Sequence, residues 1–245
     1  MCSFFNTVIL VGGLGSRIKV LFPNLPKPLI PVYNKPHLFF IISYFYKCGL
    51  RVFTLGVGFK SELFESFFSA NKKLFNFSTS LILDSGWTGT GGALISMSKY
   101  LNNKVSLVFN GDSFFKPFFK GYVSSLLDGN VFLDVLLGNC AIPSNISSYG
   151  SILFKDEGQR VIRFLEKFKF KSYPSSVNTG LYVFKTKTFK SLINSYFINN
   201  KLLLNTDISL ERGLIPLILN KFTVAGGFYR GFFVDTGTPC RYRIK

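Results

Sequence analysis

Residues 10–32 read LVGGLGSRIKVLFPNLPKPLIPV: an apolar run that breaks into three glycines, an arginine, and a lysine held between two prolines. Residues 7–11 have the apolar character of a buried strand, and Gly12, Gly13 and Gly15 after it permit tight turning and close backbone approach to a ligand. A strand that feeds a glycine loop is a phosphate-site candidate. Spacing excludes two familiar loops. The dinucleotide fingerprint begun at Gly13 needs glycine where Ile18 stands, and the Walker A spacing is absent. What remains is the glycine turn, Arg17 and Lys27. Arginine offers a planar fork to two phosphate oxygens and lysine a compact mobile charge, so the pair suits a polyphosphate better than a single carboxylate. Pro28 biases Lys27 toward an extended backbone and Pro26 fixes its own φ, which puts Lys27 on a stiff arm. A strand-to-loop turn with no ligand is the bland alternative.

The 245 residues suffice for one large α/β domain, and no linker, repeat or low-complexity tract divides them, so a single domain over 1–245 is expected. With 29 basic and 12 acidic residues the formal charge is +17, which suits an anionic partner. The basic residues are spread along the chain and form no stripe, so a nucleotide fits better than a nucleic acid. Cys2, Cys48, Cys140 and Cys240 show no C-x-x-C spacing and His37 is the sole histidine, which argues against zinc and for reduced thiols. No basic region precedes the first apolar stretch, and the longest apolar-aromatic run, 38–46, is too short to cross a bilayer. A soluble cytoplasmic protein without a membrane partner is expected.

The pattern predicts helices over 35–48, 61–68 and 91–100 alternating with strands over 51–57, 78–83 and 105–109, hence a largely parallel sheet. Strands over 131–140, 151–154, 161–164, 177–184 and 231–235, with helices over 186–197 and 207–220, extend it as a mixed sheet. Ligands of such sheets sit beyond the carboxyl ends of the strands. Three unusual segments follow those ends: GGLGSR, DSGWTGTGG and NGD. Asp112 in NGD and Asp235 in VDTG are two separated carboxylates at strand ends, a donor set that with substrate phosphates suits Mg²⁺. Turn or cap aspartates are the alternative.

Taken in order, GGLGSRI with PKPLIPV, WTGTGGAL, FNGDSFF, EKF, VNTGLYVF, SLERGLIPLIL and GFFVDTGTPCRY resemble the sugar-1-phosphate nucleotidyltransferase family from about residue 7 to 242. The resemblance implies a Rossmann-like (GT-A-like) fold with a mixed, mostly parallel central sheet flanked by helices. It implies that a nucleoside triphosphate lies over Leu10, Gly12, Gly13, Gly15 and Ser16, with Arg17 on its β and γ phosphates and Lys27 near the α-phosphate. Asp112 and Asp235 would carry Mg²⁺, and Arg17, Lys27 and Asp112 would form the catalytic set. Asp84, Gly89 and Thr90 fall where the family reads the base, and Gly111, Gly150, Glu166, Lys167 and Asn178 where it holds the sugar phosphate. FNGDSFF, SLER and GFFVDTGTP are closest to the branch that uses GTP and a heptose 1-phosphate. A carboxylate at Asp84 would accept from two adjacent donors of guanine, which favours GTP over UTP or dTTP.

Departures from the family pattern are Val11 for alanine, Ser16 for threonine, and Cys240-Arg241 for an acidic pair. Other readings stay open at this stage: thymidylyl or uridylyl transfer to glucose 1-phosphate, uridylyl transfer to N-acetylmuramate 1-phosphate, and a silent nucleotide or nucleic-acid binder. A glycosyltransferase normally shows D-x-D where this chain has NGDSF. The sequence leaves a homo-oligomer open.

Overall fold

The computed structural model describes residues 5–13, 15, 18–74, 76–83, 89–115, 134–140, 150–155, 160–166, 175–194, 207–229 and 233–235. At its centre β1 (Phe5–Leu10) is buried at every position, so it carries no polar face and must be covered on both sides. It pairs in parallel with β4 (Val52–Val57) and β6 (Val105–Asn110), and β5 (Ser78–Leu83) adds in parallel beyond β4. The helix α1 (His37–Lys47) buries Leu38, Ile41, Ile42 and Phe45, the spacing of one helical stripe, and ends before Gly49 at φ +95°. Together with α2 (Ser61–Asn71) it covers one sheet face through Phe45, Phe64 and Phe67 against Ile9, Phe53, Leu55 and Leu107. The opposite face is covered by α3 (Gly89–Met97), whose Ala93, Leu94 and Met97 join Val8, Leu10 and Val108.

The second half of the chain joins the same sheet through β11 (Ser175–Lys185), which runs antiparallel to β6. It also pairs with β8 (Val135–Cys140) and β9 (Gly150–Phe154), and β10 (Val161–Glu166) lies antiparallel beyond β9. The path through the sheet is β10-β9-β11-β6-β1-β4-β5, with β8 beside β11. Beyond β8, β12 (Val224–Tyr229) adds in parallel. Two short pairs lie outside this sheet: β2 (Pro31–Val32) with β3 (Lys35–Pro36), and β7 (Ser113–Phe115) with β13 (Phe233–Asp235). The expected mixed α/β sheet is therefore present, parallel where the first strands meet and mixed from β11 outward. Among the described residues no helix is long and apolar enough to cross a membrane.

Two local expectations are corrected and one strand is added. Lys27 is not extended, because Lys27–Leu29 forms a 3₁₀ turn closed by Leu29 N–H donating to Pro26 O at 2.9 Å. Pro28 is tolerated there because a residue in the first turn has no intrahelical partner for its missing N–H. The helix expected over 207–220 is shorter: residues 207–209 are non-helical, Leu210–Leu214 forms one wide π turn, and α5 is Ile215–Lys221, following α4 (Thr186–Ile193). The cause is Ser209, whose hydroxyl accepts from Arg212 N–H at 3.1 Å and starts the helix late. The strand β12 went unread, since VAGGFY carries two glycines where a strand ordinarily has side chains to pack.

Asn6 ties this assembly together from inside β1. Its Nδ2 donates to Asn103 O at 3.1 Å and Ser106 Oγ at 3.0 Å, and its Oδ1 accepts from the Asn102 and Asn103 amides at 3.0 and 3.1 Å. Replacing it with leucine keeps the volume but leaves both amides without their acceptor. Asn6→Leu is expected to lower the urea unfolding free energy by about 2 kcal/mol or more, given that each buried orphan costs about 1–3 kcal/mol. An unchanged midpoint would contradict this role.

Candidate active site

At the carboxyl ends of β1 and β6 the backbone comes unusually close. Gly111 N–H donates to Leu10 O at 3.0 Å, and a Cβ at 111 would lie 2.8 Å from Val11 Cγ1, 3.0 Å from Leu10 O and 3.2 Å from Pro28 Cγ. Only glycine fits there. The consequence is that the Gly111-Asp112 turn lies against the Pro26-Lys27-Pro28 arm, and Lys27 Nζ donates to Asp112 Oδ2. Gly12 packs on the Gly56 carbonyl, Gly13 has open space beside its Cα, and Gly15 rests on the Lys27 stem.

Asp112 is held ionised by its neighbours. Burial pushes its carboxyl up, but the charge and hydrogen bond of Lys27, the nearby His37 and the Ser113 hydroxyl outweigh that and hold it below the ordinary carboxylate range. Ser113 Oγ donates to Asp112 Oδ1 at 3.2 Å. The β7–β13 pairing sets Asp235 opposite Ser113, so the backbones carrying the two aspartates are neighbours although they are far apart in the chain. Among the described residues no cluster of three or more metal-ligating side chains occurs. Two carboxylates are a sufficient protein contribution for a cation that takes its remaining oxygens from phosphates and water.

The residues expected at the sugar converge on the neighbouring strands. Gly150 at the start of β9 lies opposite Glu166 at the end of β10, and Ser151 lies opposite Val177, which brings Asn178 alongside. Asn178 Nδ2 donates to Tyr182 OH at 2.8 Å, and its Oδ1 accepts from Gly180 N–H at 3.2 Å. On the other flank, Gly89 has φ +70° and sits where a Cβ would overlap Asp207 and approach Ile208 O at 2.7 Å. Ile208 O accepts from the amides of Gly91 and Gly92 at 2.7 and 3.2 Å, so the segment before the π turn caps α3. Thr90 Oγ1 accepts from Leu210 N–H at 2.9 Å and donates to Glu211 Oε2 at 3.2 Å, which ties its hydroxyl to that same segment.

The structure thus gathers Leu10, the three glycines, Lys27, Gly111, Asp112 and the Asp235 backbone at one strand-end cluster. Gly150, the Glu166 backbone and Asn178 lie together on the β10-β9-β11 side. Ser16, Arg17, Asp84 and Lys167 lie outside the described residues. Sequence reasoning missed Glu211, which accepts from Asn110 Nδ2 at 3.2 Å and Tyr182 OH at 3.1 Å besides Thr90. The quoted stretch SLERGLIPLIL contained it, but a glutamate in the first turn of a helix reads as ordinary helix chemistry.

Comparison with known proteins bears on family and fold. The model of the Nucleotidyl transferase family matches residues 6–239. The chain is 28% identical over 244 residues to D-glycero-alpha-D-manno-heptose 1-phosphate guanylyltransferase of Aneurinibacillus thermoaerophilus, covering 97% of this chain and 95% of that protein. It is 27% identical to the mannose-1-phosphate guanylyltransferase of Mycobacterium tuberculosis over 96% of this chain and 61% of that one. Among solved structures, HddC from Yersinia pseudotuberculosis complexed with GMP-PN superposes with a TM-score of 0.78 at 24% identity, covering 98% of this chain and 97% of that one.

The electrostatics of Asp112 can be tested on its own. Because its folded value lies below the unfolded one, its contribution to stability is present above the ordinary carboxylate range and is lost as pH falls through the depressed value. In Lys27→Met the upward push of burial meets less opposition. The Asp112 carboxyl followed by NMR is expected to titrate at higher pH than in the wild type, and an unmoved titration would contradict the assignment.

Proposed function

This chain belongs to the nucleotidyl transferase family, and on that premise we propose that it transfers guanylyl from GTP to a sugar 1-phosphate of the heptose or mannose type and releases pyrophosphate. It does so as one catalytic domain in the cytoplasm, with no nucleic-acid or membrane partner. The observation that carries the reading is Lys27 paired with Asp112 beside the glycine loop, an adjacent cation and carboxylate at the strand ends where such sheets bind ligands. Guanine as the base is supported by the near full-length relatives, which are named as guanylyltransferases.

The sugar phosphate oxygen attacks the α-phosphorus in line with the departing pyrophosphate. No protein nucleophile is needed; positioning and neutralisation of charge supply the rate. Lys27 exchanges Asp112 for an α-phosphate oxygen as the triphosphate enters. Arg17 grips the β and γ phosphates with its planar fork. The freed carboxylate of Asp112, together with Asp235, fits a hard cation, since Asp112 is held ionised and Asp235 is paired opposite its neighbour Ser113. Mg²⁺, if held by Asp112 and Asp235, would supply neutralisation of the phosphate oxygens. Asp84 accepts from guanine, with Gly89 and Thr90 beside it, while Gly111, Gly150, Glu166, Lys167 and Asn178 hold the sugar phosphate.

Pyrophosphate release from purified protein, measured across four nucleoside triphosphates and a panel of sugar 1-phosphates, is expected to favour GTP with a heptose or mannose 1-phosphate. A preference for UTP or dTTP would sink the guanine assignment and leave the transfer chemistry standing. Asp112→Asn and Asp235→Asn are each expected to lower turnover about 10²-fold, the scale of losing one preorganised electrostatic element. Near-normal turnover in either at saturating Mg²⁺ would remove that aspartate from the site. Arg17→Lys keeps the charge but loses the fork, so the GTP KM should rise while the melting curve holds. An unchanged KM would make Arg17 an ordinary loop residue.

A further inference from the structure

Four hydrogen bonds end on the Glu211 carboxylate. Oε1 accepts from Asn110 Nδ2 at 3.2 Å and Tyr182 OH at 3.1 Å, and Oε2 accepts from Thr90 Oγ1 and Ser209 Oγ, each at 3.2 Å. An ionised carboxylate is acceptor-only with about four lone-pair sites. All of them are used by protein donors, so Glu211 is arranged to hold groups in place and not to act as a base or a metal ligand.

The donors come from different parts of the site. Asn110 directly precedes the Gly111-Asp112 turn, and Thr90 lies in the first turn of α3, which the proposed function puts on the nucleotide side. Tyr182 lies on β11, fully buried, and its hydroxyl has one hydrogen to give. That hydrogen goes to Glu211. The Tyr182 oxygen is then an acceptor toward β11 itself, where Asn178 Nδ2 donates to it at 2.8 Å. The direction of this chain fixes the Asn178 carboxamide: its NH₂ faces Tyr182 and its oxygen faces the Gly180 amide. The direction of the second Nδ2 hydrogen is fixed by the same two bonds.

We infer that Glu211 is a positioning residue for the sugar 1-phosphate: through the Tyr182 hydroxyl it orients Asn178, while the same carboxylate holds Asn110 and Thr90 on the nucleotide side. One carboxylate thereby sets the spacing between the two substrate halves. The inference rests on the nucleotidyl-transfer reading and extends it to residues that touch neither substrate.

The test is steady-state kinetics with GTP and the best sugar 1-phosphate on Tyr182→Phe, Asn178→Ala and the double variant, with melting curves as the control on folding. Tyr182→Phe keeps the buried ring and removes the hydroxyl. The KM for the sugar 1-phosphate is expected to rise about tenfold while the KM for GTP stays within about twofold, the scale of one lost orienting hydrogen bond. If Tyr182 acts through Asn178, the double variant is no worse than Asn178→Ala alone. Glu211→Gln retains an oxygen acceptor and should lie closer to the wild type in sugar KM than Glu211→Leu. An unchanged sugar KM in Tyr182→Phe, or full additivity of the two single effects, overturns the inference while leaving the reaction intact. Absence of wild-type turnover with every sugar 1-phosphate would overturn the reaction and the inference together.

Discussion

A methyl group at position 111 would overlap Val11 and crowd the Leu10 carbonyl, and the site depends on its absence. With glycine there, the end of β6 closes onto the end of β1 and the following aspartate turns toward the proline arm. The parallel register of β1 and β6, from Phe5 opposite Val105 to Leu10 opposite Asn110, delivers the two strand ends at the same level. The short Lys27–Leu29 turn then seats Pro28 on Gly111, and Lys27 reaches Asp112. Everything assigned to phosphate and metal chemistry hangs on that contact between two strand ends.

Without substrate, the site keeps its charges in order by pairing them. Burial disfavours the charged form of the Asp112 carboxylate, and the Lys27 ammonium beside it outweighs that. Lys27 and Asp112 each supply the other's counter-charge. The surplus of positive charge over the whole chain, +17, favours approach of a polyanion over long range without specifying it. Specificity has to come from short-range contacts, which a long-range charge does not supply.

The sheet and the glycine loop were legible because they are written locally. An unbroken buried strand, a glycine turn and an amphipathic helix each leave a mark within about a dozen residues. The motif order named the family, and the family model's match over residues 6–239 agrees with it. What was not legible depends on partners distant in the chain. Asp112 and Asp235 were read as one donor set, but the contact that makes their backbones neighbours, the pairing of the three-residue strands β7 and β13, was too short to be read. Glu211 acquires its meaning from Asn110, Tyr182 and Thr90, none of which its own segment announces. The Lys27 arm was misread for a physical reason: Pro28 disfavours helical backbone before it, yet closing a turn onto Pro26 outweighed that bias.

The central claim is a single in-line displacement at the α-phosphorus by the sugar phosphate, with no protein-bound intermediate. Its most direct test is the configuration of that phosphorus in the product. With one diastereomer of GTPαS and the sugar 1-phosphate that supports turnover, phosphorus NMR of the sugar nucleotide is expected to show inversion. Retention, which requires two displacements through a nucleotidylated side chain, would contradict the account, as would release of GDP in place of pyrophosphate.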